Sequence, residues 1–213
     1  AIGQDALASE DNAGSGAIAI GYRALTAQSA DWGNNIAIGY CAGASQVNTT
    51  ESVYIGYFAG AAATGGSNVV IGGAAGGGAF SSDNVIIGQD AGKSTTGGSN
   101  VIVGKDAGKT AGDGSSNTFL GIAAGKYVTN GDNNVFIGRN AGDAVTTGCC
   151  NVIIGKSADV ASATGNNQFI IGIGSNKWIC GDSSYNIFDK DGNQLNGAAG
   201  ISTTILKTDP QGN

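Results

Sequence analysis

Histidine and methionine are absent from the 213 residues, proline occurs once, and only 12% of positions are charged. Without histidine no Ser–His–Asp triad, Cys–His dyad or His-ligated zinc centre can form, and the commonest general base is missing. A single proline excludes collagen, which needs frequent proline and glycine at every third position. Low charge with 41% hydrophobic residues excludes an ordinary disordered linker. Ten Lys and Arg against sixteen Asp and Glu give a net charge of −6, and no basic run of the kind nucleic-acid binders carry is present. No stretch of about 18 residues is uniformly apolar, so no membrane-inserted helix is expected. The four cysteines, Cys41, Cys149, Cys150 and Cys180, match no zinc or redox spacing and are few for a disulfide scaffold. The chain is therefore not expected to be an enzyme, and no catalytic residue, metal or cofactor is assigned.

What is abundant is glycine, 39 residues, about 18% against a usual level near ~7%. It is periodic. A hydrophobic residue followed by glycine recurs at Gly3, Gly21, Gly39, Gly56, Gly72, Gly88, Gly104, Gly121, Gly138, Gly155 and Gly172, at intervals of 16 to 18 residues. Alanine stands three residues beyond the glycine in ten of eleven units, and a second glycine often follows it. Each unit reads as a three-residue strand, a glycine turn, a small Ala-Gly step and a polar return tract. The period is too short for two helices or a propeller blade. It fits one coil of a parallel β-solenoid of about 11 short coils over residues 1–175, all-β and roughly 48 Å long. The chain opens at Ala1-Ile2-Gly3, within the pattern, as a piece cut from a longer chain would.

Side chains alternate along a strand. Residues three and one before each glycine, such as Val85 and Ile87, share one face and are expected to line the coil interior. The residue between them then points outward, yet it is apolar throughout: Ala19, Ala37, Tyr54, Val70, Ile86, Ile102, Phe119, Phe136, Ile153 and Ile170. A stripe of this length is too apolar to face water. Burial against other copies of the chain, a homo-oligomer, is expected.

The unit Asn68-Val69-Val70-Ile71-Gly72, followed by Ala-Gly, resembles the left-handed parallel β-roll repeat of trimeric autotransporter adhesin heads. Still more similar are the repeats of phage tail fibres that end in an endosialidase-type chaperone, as in Asn133-Asn134-Val135-Phe136-Ile137-Gly138-Arg139-Asn140-Ala141-Gly142. The resemblance covers about residues 1–175, and its specificity lies in the number of copies. It implies a left-handed roll, a homotrimer, a virion or cell-surface location, and attachment to a receptor rather than catalysis. Residues 176–213 are expected to form a C-terminal cap: a β-hairpin with Asp189-Lys190-Asp191-Gly192-Asn193 as its turn between Tyr185–Phe188 and Gln194-Leu195, then a tail from Gly200.

The position after each glycine carries Tyr22, Tyr40 and Tyr57 on three successive coils, then Gln89, Lys105, Arg139 and Lys156. A column that accepts charge is expected to face solvent, which makes the tyrosines a candidate glycan or receptor site; simple stacking along the rod is the competing reading. Lys93, Lys109 and Lys126 read as a solvated edge. Asp189–Asn193 shares the start of a calcium loop without its later ligands. Gly88–Ser94 and Gly104–Thr110 resemble phosphate loops but are one residue short between their glycines. Cys149-Cys150 reads as a pair of small unbonded residues. Two rivals to a fibre module remain. An ice-binding β-solenoid would want a regular Thr ladder, whereas Thr49-Thr50, Thr95-Thr96 and Thr146-Thr147 fall in drifting columns. A polysaccharide-degrading solenoid enzyme would want clustered acids in a groove.

Overall fold

A computed structural model describes residues 1–9, 16–28, 33–46, 50–182, 184 and 186–195. Tyr185, Thr49 and the tail from Gly200 lie outside the described residues. The molecule is all-β, with no helix among those residues. Nine three-residue strands come first, β1 (Ile18–Ile20), β2 (Ile36–Ile38), β3 (Val53–Ile55), β4 (Val69–Ile71), β5 (Val85–Ile87), β6 (Val101–Val103), β7 (Thr118–Leu120), β8 (Val135–Ile137) and β9 (Val152–Ile154). The longer strands β10 (Phe169–Ile173), β11 (Asn176–Gly181) and β12 (Ile187–Asp189) follow. They form one sheet in sequence order. From β1 to β10 every pairing is parallel and in constant register, so Ile86 pairs Ile102 and Ile102 pairs Phe119.

The result is a parallel β-solenoid of about 9 turns rather than the 11 expected from the glycine count. The first unit contributes only an isolated bridge between Ile2 and Ile20, and Gly172 lies inside β10 instead of heading a new coil. After β10 the chain reverses. β10 pairs β11, and β11 pairs β12, both antiparallel. At the Asp-Gly turn, Leu195 N–H donates to the Ile187 carbonyl and Phe188 bridges Gln194.

The two strand faces are the reverse of the sequence expectation. The middle residue of each strand from β1 to β9 points into the coil and is buried, as is Ile170 of β10, whereas the residues flanking it point outward and are half-buried or exposed. The reason is volume. A coil of 17 or so residues, already holding Ala at the third position after the glycine, has room for one strand side chain and no more. The interior column varies in size, and its neighbours compensate. Ala19 lies on the coil that also buries Leu25 and Gln28, while Tyr54 donates its hydroxyl to Gln46 Oε1 at 3.1 Å. Phe119 and Phe136 stack at 5.2 Å. Burying one such side chain contributes about 1.5–3 kcal/mol.

A buried asparagine precedes most strands: Asn35, Asn68, Asn84, Asn100, Asn117, Asn134 and Asn151, with Ser52 in the same column. Each Oδ1 accepts the backbone N–H of its counterpart one coil later, at 2.9–3.0 Å from Asn68 to Asn151. Two residues earlier a second ladder runs the opposite way: Asp132 Oδ1 accepts from Ser115 N, Cys149 Sγ from Asp132 N, and Asn166 Oδ1 from Cys149 N. Side-chain oxygens, and one sulfur, thus satisfy amides that the short strands leave over.

Candidate functional site

The residue after each glycine is exposed on coil after coil, from Tyr22 to Lys156, Gly73 alone being half-buried. This places the expected tyrosines together on the surface. Tyr22 and Tyr40 stack with ring centroids 5.0 Å apart and planes 20° from parallel; Tyr40 and Tyr57 stack at 5.4 Å and 22°. Phe58, which the sequence reading passed over, sits edge-on to Tyr57 at 4.7 Å and tilted against Tyr40 at 5.4 Å. Its backbone takes a left-handed φ of 54°, as do residues at the equivalent place in the other coils, and that turn brings the ring back beside the column. The four rings form a continuous aromatic surface, with Tyr57 the most exposed at 61%. Its chemistry is that of a saccharide platform, apolar faces edged by hydroxyls. The Tyr40 hydroxyl is held above its ordinary pKa, first because its neighbours strip hydration, then by Cys41, Tyr22 and Tyr57.

Beside this column run the two outward strand columns. Ile18, Ile36, Val53, Val69, Val85, Val101, Thr118, Val135, Val152 and Phe169 form one, and the residues from Ile20 to Ile171 that precede the glycines form the other. Neither contains a charge. Ile18, Val101 and Leu120 are exposed by 40% or more.

The remaining candidates resolve into local structure. Lys93 pairs with Asp90 at 2.8 Å and Lys109 with Asp106 at 2.7 Å, while Lys126 lies 5.0 Å over the Tyr127 ring. The Lys109 hydrogen bond holds Asp106 below the usual carboxylate range. In the two loops resembling phosphate loops, Gly92 and Gly108 donate their N–H groups to Ala107 and Ala124 of the next coil, so these amides are not free for an anion. Asp189 accepts from the backbone of Asp191 and Asn193 and from Asn193 Nδ2, the arrangement of an Asx turn. All four cysteines are free thiols.

A carboxyl pair on adjacent coils, Asp143 and Asp159, has no signature in the repeat pattern. Asp159 stands where other coils have a left-handed glycine, and its carboxylate accepts from Ala144 N at 2.8 Å and Val160 N at 2.9 Å. Partial burial first, and then Asp143, raise its pKa to about 6. A pKa raised on folding means stability that is complete below pH ~4 and lost as pH rises through about 6. Acidification from pH 7.5 to 5 is therefore expected to raise the melting temperature. The full shift is discounted for solvent screening at this half-exposed group, leaving about 1 to 1.5 kcal/mol. Asp143→Asn should raise the melting temperature at pH 7.5 and change it little at pH 5; no pH-dependent difference in a thermal melt would show that the carboxyls are not coupled.

No protein-family model, curated protein or solved structure matches the chain.

Proposed function

We propose that this chain is a structural fibre module of a phage tail fibre or bacterial surface adhesin, assembled as a homotrimer and mediating attachment to a cell-surface receptor. The observation that carries the assembly is the uncharged outward face of the strand ladder. Over nine coil intervals it extends about 43 Å, too long an apolar stripe for a surface left in water. Its correction from one outward column to two enlarges the area that a partner must cover. Identical chains packed about an axis cover it on all copies at once. Among its outward positions only Thr118 carries a hydroxyl, which disfavours the ice-binding alternative.

Attachment then falls to what stays outside. The aromatic column of Tyr22, Tyr40, Tyr57 and Phe58 offers each chain a weak saccharide platform, and three copies on one rod add avidity. Sedimentation equilibrium in reductant should give three times the 20.8-kDa chain mass across a wide dilution range. Ile71→Asp with Ile87→Asp should dissociate it, since each charge would be buried unpaired. A folded monomer from the unaltered chain would overturn the assembly. A trimer whose binding to a glycan array is unchanged by Tyr40→Ser would overturn the aromatic column as the attachment site.

A further inference from the structure

Among the described residues the exposed aromatics are Tyr22, Tyr40, Tyr57, Phe58, Tyr127 and Trp178. Each of the first five has a ring or an ammonium against it. Trp178, 56% exposed, has neither among the described residues. An indole is the largest apolar side chain, and leaving more than half of it in water forgoes on the order of 1 kcal/mol or more of burial.

Its position is built rather than incidental. In the β10–β11 pair, Ile171 opposes Ile179 but Gly172 opposes Lys177, so Trp178 is the extra residue of a β-bulge and pairs with nothing across the strand. Bulges re-aim a side chain and recur beside binding sites. Gly172 makes the bulge possible, because a Cβ there would lie 2.3 Å from the Asn176 carbonyl oxygen. The indole borders a cavity of about 510 Å³ whose other walls include Asn176, Lys177, Asp189 and Lys190. That volume falls in the range of small-ligand clefts. Asp189 is held by the Asx turn, and Lys190 pairs with Asp191 at 2.6 Å on the exposed side of the wall.

We infer that Trp178 and this cavity form a saccharide-binding site, with a pyranose ring stacked on the indole and its hydroxyls meeting Asn176 and Lys177. A pyranose has one face of C–H groups and a rim of hydroxyls, which matches an aromatic plane beside amide and ammonium donors. The site shares its ligand class with the aromatic column but none of its residues. It sits on the C-terminal hairpin, joined directly to the last coil through the β10–β11 turn.

The chain contains two tryptophans, so Trp32→Phe leaves Trp178 as the only indole. The test titrates that variant with glucose, galactose, N-acetylglucosamine and the β-linked trisaccharide of each, up to tens of millimolar, enough to fill a site of millimolar affinity. At least one sugar should give a saturable blue shift or quench of the emission. In the unaltered chain, calorimetry with that sugar should show the same affinity, and Trp178→Ala should weaken it about tenfold or more. Trp178→Phe, which keeps a stacking face, should weaken it less, and Tyr40→Ser should leave it unchanged. No saturable response to any of the six sugars would overturn the site, as would equal binding by Trp178→Ala. Loss of binding in Tyr40→Ser with retention in Trp178→Ala would instead place saccharide recognition on the aromatic column alone.

Discussion

Gly104→Ala is expected to prevent folding of the central coils, whereas Gly73→Ala should leave stability unchanged or slightly higher. Gly104 has a φ of +136°, and a Cβ there would lie 2.4 Å from the Gly121 carbonyl oxygen and 2.5 Å from its carbonyl carbon. Both are backbone atoms, and Gly121 is held in the ladder by its own N–H to Val103 O at 2.8 Å. Relief would require the coils to separate, which breaks the parallel pairing on both sides. A cost above about 4 kcal/mol is expected, a large part of the total stability of a domain. Gly73 has nothing within 4 Å of its hypothetical Cβ and no left-handed φ. Alanine there restricts the unfolded chain and should add up to about 1 kcal/mol. Urea midpoints of the two variants check this, and equal midpoints would show that close approach of the coils is not what fixes the glycine.

The asparagine ladder should give the second large effect, with a defined order of severity. Asn100 accepts from Asn117 N at 2.9 Å through Oδ1, and its Nδ2 donates to Asn84 Oδ1 and to Gly114 O, both at 3.1 Å. Asn100→Ala leaves the buried Asn117 N–H without its acceptor and the Gly114 carbonyl without this donor, while Asn84 Oδ1 keeps only the residue-100 backbone N–H. About 3 kcal/mol is expected. Asn100→Ser should cost less, because the chain already uses that solution: Ser52 Oγ accepts from Asn68 N at 3.1 Å. Asn100→Asp should be worst at neutral pH. It turns Nδ2 into an oxygen facing two other acceptors and buries a charge. Protonation should restore much of its stability as the pH falls. Denaturation of the three variants at pH 7 and pH 4 measures the order; an Asp variant as stable as Ala at pH 7 would mean the ladder is hydrated.

The repeat of strand, glycine, alanine and return tract by itself determined the solenoid. A hydrophobic triplet and a glycine at a spacing of 16 to 18 residues leave room for one strand per coil, and constant register follows from identical units stacked in order. The exposure of the column holding Tyr22, Tyr40 and Tyr57 was also legible, since Lys105, Arg139 and Lys156 in the same column would be too costly to bury. The hairpin turn at Asp189–Asn193 was readable from its Asp-Gly pair.

Which strand face is the interior was decided only by the tertiary structure. Alternation separates two sets of residues without assigning either to the inside, and both sets are apolar. The assignment depends on the volume enclosed by a whole coil, to which Ala42, Gln46 and Tyr54 contribute from different places in the sequence. The same holds for Phe58, Asp159 and Trp178. Phe58 joins the tyrosines because a left-handed turn redirects it. Asp159 meets Asp143 because their coils are neighbours, and Trp178 is free because a bulge removes its cross-strand partner. Local pattern sets the period of this protein, while contacts between consecutive coils set the direction in which each side chain points.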